Sequence, residues 1–275
     1  MKKVDLHIHS SCSDGDYNPT EIINLAKRKD LKCISLTDHN TTAGVLEAVN
    51  AGKRKNIEVI PGVEICCDCS EVIGYYIDIK NKKLQKLLLK IRKEGDKKAK
   101  KTIIKLNEAG YNVKYGEVRR FVRHLLLPKN ALKYIVKDKK GKEREELMQK
   151  LVKMVYLNDG IAFVNSKLEK AEEVIEIIRQ AGGVSVLAHP WVQKDVMKRL
   201  PSLLEAGLKG TEIECPFWDK KPVTKKIIKF AKKHDLIQTG GSDFHTDSHP
   251  GTRIGKYGCD YRVVEELREG CKKVK

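Results

Sequence analysis

Within its first 39 residues the chain sets His7, His9 and His39 beside carboxylates, in Asp5-Leu6-His7-Ile8-His9, Ser13-Asp14-Gly15 and Thr37-Asp38-His39-Asn40. Side chains alternate across a strand, so both imidazoles of a His-x-His step point the same way when the segment is extended. Two ring nitrogens offered to one ion from a rigid element, with carboxylate oxygen nearby, suit Zn, Mn or Fe rather than Ca or Mg. The same chemistry recurs downstream in Ala188-His189-Pro190 and in Gly241-Ser242-Asp243-Phe244-His245. Of eight histidines, five (His7, His9, His39, His189 and His245) are used in this way. The pattern points to a multinuclear metal hydrolase.

The segments that lead into these residues read as strands. Residues 3–9 carry His7 and His9, residues 33–37 deliver Asp38 and His39, and residues 58–65 present Glu64 after a Pro61-Gly62 break that marks an edge or bulge. Residues 184–188 end at His189, and residues 236–239 run into Gly240, Gly241 and Asp243; residues 210–214 form a further strand. Helices are expected between them. One starts at Asn18-Pro19-Thr20-Glu21, with Asn at the cap, Pro in the first turn and Glu three residues on. Others fall at residues 42–50, around Val174–Ile178 up to Gly182-Gly183, at 200–206 and at 223–234. Alternating strands and helices imply a parallel sheet, and a chain of 275 residues is long enough to close one into a (β/α) barrel. Strand C-termini of such a barrel converge on one mouth, so His7, His9, His39, Glu64, His189, Asp243 and His245 are expected to be neighbours there.

From about residue 81 to 153 the rhythm changes to long helical stretches with turns at 108–111 and 139–141. Nearly all of the formal net charge of +18 sits here: residues 80–153 hold 25 Lys and Arg against 8 Asp and Glu, while residues 1–79 hold 9 against 12. A lysine-rich helical surface can serve solubility alone. Beside a metal centre, its long-range field is better read as attracting a phosphorylated substrate. We therefore expect a barrel made of residues 1–80 and 154–275, with a basic helical insertion at 81–153 over its mouth. No window approaches the roughly 18 consecutive apolar residues of a membrane span. No apolar core follows Lys2-Lys3, so a secretory signal is not expected. The eight cysteines then read as the thiols of a cytoplasmic chain rather than a disulfide framework. No obligate protein partner is inferred.

At this level of detail the chain resembles the PHP (polymerase and histidinol phosphatase) family of metal-dependent phosphoesterases. The matching segments are DLHIHSSCSDG (5–15), LTDHNT (36–41), PGVEI (61–65), AGGVSVLAHP (181–190) and GSDFH (241–245), with GYYID and YLNDGIAFV as linking stretches. The resemblance implies an α/β fold, a distorted seven-stranded, TIM-like (β/α) barrel holding two or three divalent ions (Mn, Zn or Fe). It implies that His7, His9, Glu64 and Asp243 hold one ion and that Asp14, His39 and His245 hold a second. Glu64 would bridge to a third, held with His189. Where the family usually carries a further histidine before GYYID, Glu71 stands here, a harder donor for the third ion. The family's Arg-Pro-His-x-Ala motif, which binds substrate phosphate in the insertion, is represented by Val122-Arg123-His124 or by Leu127-Pro128-Lys129-Asn130-Ala131. The second alignment puts Lys129 at the histidine position.

Each residue also has a plainer reading. A Ser-Asp-Gly aspartate is an ordinary turn residue, and His189 before Pro190 can simply end a strand; their company favours ligation for both. Asp38 is read as orienting the His39 ring or capping Thr41. Cys66, Cys67 and Cys69 have no second cysteine pair at ligand spacing and read as small buried hydrophobes. His234 reads as helix surface and His249 as loop. Arg119, Arg120, Arg123 and Lys129 are the candidates for phosphate binding, because guanidinium groups grip phosphate bidentately. His124 or Lys129 would assist the leaving group, beside Asp243 and His245 in the catalytic centre. The expected activity is hydrolysis of a phosphate ester by metal-activated hydroxide, on a nucleoside 3′,5′-bisphosphate or a short oligoribonucleotide. Two alternatives are a phosphatase of histidinol phosphate or another small monoester, and a nucleic-acid-binding module whose metals are structural.

Overall fold

The apolar runs pair in chain order. In the computed structural model, β1 (Val4–Ile8), β2 (Cys33–Leu36), β3 (Glu58–Cys66), β4 (Glu71–Tyr75), β5 (Val184–Leu187), β6 (Gly210–Glu214) and β7 (Ile237–Gly240) form one sheet ordered β1 to β7. The structure describes residues 4–68, 71–122, 126–157, 159–165, 168–193, 195–216, 218, 221–247 and 251–272. Pairing is parallel except on the two sides of β4, which is antiparallel to both β3 and β5. The sheet nearly closes on itself. Ile8 bridges Phe244 beyond the end of β7, the His9 N–H donates to the Phe244 carbonyl at 2.9 Å, and Val4 bridges Cys259. This is the distorted seven-stranded barrel that the sequence implied.

The helices are α1 (Pro19–Arg28), α2 (Val45–Lys55), α3 (Lys82–Glu108), α4 (Tyr115–Phe121), α5 (Pro128–Ile135), α6 (Gly141–Tyr156), α7 (Ala171–Gln180), α8 (Val196–Glu205), α9 (Val223–Lys233) and α10 (Tyr261–Lys272). The start of α1 follows its sequence signal: Asn18 Oδ1 accepts from the Glu21 N–H at 2.9 Å, and Glu21 reaches back to the Asn18 N–H at 2.8 Å. Ile22, Ile23 and Ala26 of α1 pack with Ala48 and Ala51 of α2 onto Ile34 and Leu36 of β2. Each fully buried aliphatic side chain contributes about 1.5–3 kcal/mol, so this layer fixes β2, and with it the strand end that bears His39.

The chain divides into two compact units, Met1–Leu88 with Leu168–Lys275, and Leu89–Lys167. The second has its own core: Ala99, Ile103 and Leu106 of α3 meet Val118 of α4, Leu132 of α5, and Leu151 and Val155 of α6. Among the described residues, no helix is long and apolar enough to cross a membrane.

The hairpin of β3 and β4 and the C-terminal helix α10 are two elements that the sequence reading does not announce. A strand that turns straight back has no helix between it and its partner. β4 begins at Glu71, five residues after β3 ends at Cys66. The consequence of the hairpin is local: Cys66 pairs with Glu71 in the ladder, so the N-terminal end of β4 delivers its carboxylate to the end where β3 presents Glu64.

Candidate metal centre at the barrel mouth

The site is assembled around Glu64. A parallel bridge between His39 and Glu64 holds the ends of β2 and β3 together, and the Asn40 N–H donates to the Glu64 carbonyl at 2.7 Å. Glu64 Oε2 lies 3.3 Å from Nε2 of His7, 3.3 Å from Nε2 of His9 and 3.0 Å from Nδ1 of His39. Its other oxygen, Oε1, faces away from these, 3.1 Å from Nε2 of His189. Asp243 Oδ1 stands 3.3 Å from His9 Nε2 and 3.6 Å from His7 Nε2. Asp14 Oδ1 lies 3.1 Å from His245 Nε2, and Asp14 Oδ2 lies 4.0 Å from His39 Nε2. Glu71 reaches Nδ1 of His39 with Oε1 and Nε2 of His189 with Oε2, each at 3.3 Å. The nine residues singled out as ligands in the sequence therefore share one mouth. Their donor atoms fall into overlapping groups, with atoms no more than 4.8 Å apart in each: His9, Asp14, His39 and His245; His7, His9 and Asp243; His7, Glu64 and His189.

The residues fit divalent cations. Glu64 Oε2 is fully buried and makes no hydrogen bond despite the three ring nitrogens around it; the buried Nδ1 atoms of His9 and His189 likewise have no hydrogen-bond partner. Nε2 of His7 and Nε2 of His9 approach to 3.0 Å. Metal–nitrogen bonds of about 2.1 Å give ligand–ligand edges of about 3.0–3.4 Å, which is the spacing of these donors. Electrostatics agree. Burial opposes a charged His7 ring, yet Glu212, Glu64 and Asp243 outweigh it and hold the ring well above the usual imidazole range. Glu64, Asp14 and Glu71 do the same for His39 against its burial. Burial would raise the Glu64 carboxyl, but His7 and His39 hold it well below the ordinary range. The mouth is a place where positive charge is held strongly, and without metal the rings take up protons.

An outer layer positions these donors. His7 Nδ1 lies 3.0 Å from Glu212 Oε1, which fixes Nε2 toward Glu64. Glu212 Oε2 also accepts from the His189 N–H at 2.8 Å, so one buried carboxylate sets two ligands. Nδ1 of His245 meets the Asp243 carbonyl at 2.9 Å, which turns Nε2 toward Asp14. Asp5 is buried behind β1 and accepts from the Ser242 and Gly255 N–H groups, each at 2.8 Å; burial pushes its carboxyl up to about 6. His189 (φ 23°) and Asp243 (φ 49°) occupy the left-handed region, strain that non-glycine residues hold when surrounding contacts enforce it.

Some residues differ from the sequence reading. Asp38 contacts neither the His39 ring nor Thr41 in the way expected. Its carboxylate accepts from the Ser10 N–H (2.7 Å), the Ser10 hydroxyl (2.7 Å) and the Ser13 hydroxyl (2.6 Å), pinning the loop that delivers Asp14. Cys67 is buried as expected, but Cys66 is half-buried, and its Sγ lies 3.2 Å from Glu71 Oε1. The motifs also passed over Glu212; its only signal is a glutamate inside an otherwise buried strand. His234 caps the end of α9 and packs on Phe230 with ring centroids 4.3 Å apart. In the second unit Arg119 and Arg120 are exposed on α4, and Arg119 Nη1 donates to the Val122 carbonyl at 2.9 Å. Lys129 lies in the first turn of α5, where Asn130 Oδ1 caps the Leu127 N–H at 2.6 Å. Cys69, Arg123, His124 and His249 lie outside the described residues.

Comparison with known proteins bears on family and fold. The family model for the PHP domain matches residues 5–182. A 5′-3′ exoribonuclease of Haemophilus influenzae is 31% identical over 89% of this chain and 90% of its own length. A 3′,5′-nucleoside bisphosphate phosphatase of Chromobacterium violaceum is 27% identical over 93% of this chain and 91% of its own. A solved chain from Bifidobacterium adolescentis, assigned as a metal-dependent phosphoesterase, has the same fold with a TM-score of 0.85. It is 23% identical and covers 96% of this chain and 94% of that one.

Proposed function

Because this chain belongs to the PHP domain family and is a metal-dependent phosphoesterase, we propose that it hydrolyses nucleotides carrying more than one phosphate, a nucleoside 3′,5′-bisphosphate or a short oligoribonucleotide. The observation that carries the metal-dependent chemistry is the placement of Glu64, while the substrate class rests on the charge of residues 80–153 and on the relatives. One oxygen faces His7, His9 and His39 while the other faces His189, the disposition of a carboxylate shared between cations.

Divalent ions are the cofactors, and we assign three positions. His7, His9, Glu64 and Asp243 hold the first, Asp14, His39 and His245 the second, and Glu64, Glu71 and His189 the third, with Mn, Zn or Fe as the ions. Ions held by these residues would supply Lewis-acid chemistry there, an acidified water and neutralisation of the charge on phosphate oxygens in an in-line displacement. The protein's own part is positioning. Glu212 locks His7 and the backbone of His189, Asp38 holds the loop bearing Asp14, and the Asp243 carbonyl orients His245. We assign phosphate binding to Arg119, Arg120, Arg123 and Lys129 and the leaving-group proton to Lys129 or His124, on the strength of the charge of residues 80–153. We read the protein as cytoplasmic, a compartment in which cysteine thiols stay reduced.

The test is a substrate panel with metal analysis. Purified protein loaded with Mn²⁺ is assayed on adenosine 3′,5′-bisphosphate, on a short 5′-phosphorylated oligoribonucleotide and on histidinol phosphate. Higher kcat/KM on the first two supports the proposal, and preference for histidinol phosphate replaces it with the small-monoester reading. Binding of RNA without turnover of any substrate would leave a nucleic-acid-binding module.

A further inference from the structure

The β3–β4 hairpin closes the side of the centre where the family's histidine is replaced by Glu71. Ladder register sets Cys66 opposite Glu71, and the thiol and carboxylate touch there, Cys66 Sγ 3.2 Å from Glu71 Oε1. Nδ1 of His39 lies 3.3 Å from that same Oε1. The donor atoms of His39, Cys66 and Glu71 all fall within 4.8 Å of one another. Such a trio of nitrogen, sulfur and oxygen donors is a fourth group, sharing His39 with the first of the three described above.

Two independent observations say that this group faces a ligand. Nδ1 of His39 is buried without a hydrogen-bond partner although Glu71 Oε1 lies 3.3 Å and Glu64 Oε2 3.0 Å away, so an unpartnered ring nitrogen stands within the trio. Asn40 clamps Cys66 at two points. Its Oδ1 accepts from the Cys66 N–H at 3.0 Å, which fixes the amide's orientation, and its Nδ2 then donates to Sγ at 3.2 Å. An N–H directed at sulfur is the outer-layer partner that orients and tunes metal-bound thiolates. The clamp is tied to the centre, since the Asn40 N–H bonds the Glu64 carbonyl and Asn40 itself holds the left-handed φ of 53°.

We propose that Cys66 is a sulfur ligand, completing with His39 and Glu71 a site for a thiophilic divalent ion such as Zn²⁺ or Fe²⁺. The inference rests on the reading of His39 and Glu71 as metal ligands. Sulfur would bind as thiolate, and His39, with Nδ1 toward this ion and Nε2 toward the second, as imidazolate, both protons leaving to solvent when the ions enter. A soft donor selects Zn, Fe and Co over Mn and Mg, so the centre pairs hard positions with one softer one.

Cobalt reports on the sulfur directly. Metal-free full-length protein is titrated with Co²⁺ while absorption is recorded and bound metal is counted by mass spectrometry. The wild type is expected to develop a sulfur-to-cobalt charge-transfer band. Cys66→Ser and Cys66→Ala should lose that band, keep the weaker absorption of nitrogen- and oxygen-bound cobalt, and bind the ion at this position at least about 10-fold more weakly, the lower end of what losing a mere outer-layer partner costs. Cys215→Ser, which alters a buried thiol beside Glu212, should keep the band. Cobalt uptake by the wild type without a band, or a band that survives in Cys66→Ser, overturns the inference and leaves the hydrolase reading standing. No cobalt uptake at all overturns both. Should the Cys66 variants fail to fold, X-ray absorption on zinc-loaded wild type decides: sulfur among the bound atoms supports the site, and nitrogen and oxygen alone refute it.

Discussion

Glu212 sits in Thr211-Glu212-Ile213-Glu214, where nothing in the sequence distinguishes it from the glutamate two residues on. What makes it matter is its position across the barrel from β1, with one oxygen toward the His7 ring and the other on the His189 N–H and the Cys215 thiol. Glu212→Gln keeps the shape but sets an amide where only an acceptor fits. Metal affinity should fall about 10–100-fold with the circular dichroism spectrum unchanged, as read by metal titration. Asp243 offers a cleaner test of ligation, because Asn tolerates its left-handed backbone (φ 49°). Asp243→Asn should fold normally and lose nearly all turnover; wild-type kcat with metal present would remove Asp243 from the centre. Most of the residues gathered at the mouth were legible because they come in short motifs at strand ends, whereas Glu71 was found only through the resemblance. Glu212 and the Asn40–Cys66 clamp were not legible, because their roles arise only when separate strands pack. His189 supplies a pH signature. Burial opposes its charged form, but Glu64 and Glu71 raise its pKa to about 9 from 6.5. In the metal-free protein, the stability that its proton contributes is therefore complete below pH 6.5 and lost as pH rises through about 9. Melting temperatures in chelator should fall across that window. Metal should reverse the trend, since binding requires the neutral ring and tightens as pH rises.

Strands and helices differ in how openly the sequence declares them. β1, β2, β3, β5, β6 and β7 each precede a loop or helix that breaks the apolar run, and α1 carries its cap residues in plain view. Those elements were readable to within a residue or two at most ends. β4 was not, because a hairpin leaves no helical interval and its residues read as an extension of a connecting stretch. The cost of missing it is specific: the antiparallel turn is what sets Glu71 opposite Cys66 and brings both to the mouth. The other end of the barrel seam depends on a close approach of backbones. A Cβ on Gly241 would lie 2.4 Å from the His7 nitrogen and 2.5 Å from the His7 Cβ, and neither atom can move without shifting β1. Gly241→Ala should therefore destabilise the fold by about 1–3 kcal/mol and lower metal stoichiometry in the fraction that remains folded. Thermal melts and metal counting on the same preparation check both halves. A variant with full metal content and an unchanged melting temperature would mean that β1 and the segment after β7 are not held together as described.

Charge divides the molecule more sharply than any other property. Residues 1–79 hold 9 Lys and Arg against 12 Asp and Glu, and residues 80–153 hold 25 against 8. The helical segment also forms a compact unit with its own core, so its surface can be altered without touching the metal ligands. Two physical readings of that charge predict different salt behaviour. If the positive field draws in a polyphosphorylated substrate, screening will weaken the attraction, because the Debye length is about 8 Å in physiological salt. kcat/KM on adenosine 3′,5′-bisphosphate should then fall steeply as ionic strength rises. p-Nitrophenyl phosphate carries less charge and should show a shallower slope at the same metal loading. Replacing Arg119, Arg120 and Arg123 together by Ala should flatten the bisphosphate slope and leave kcat on the generic ester near wild type, because the ligands of the centre are untouched. If the charge only keeps a helical surface solvated, the two substrates will have equal slopes and the triple variant will change neither. The comparison of slopes is the deciding measurement, since a uniform loss of activity with salt would reflect the metal centre rather than the basic unit.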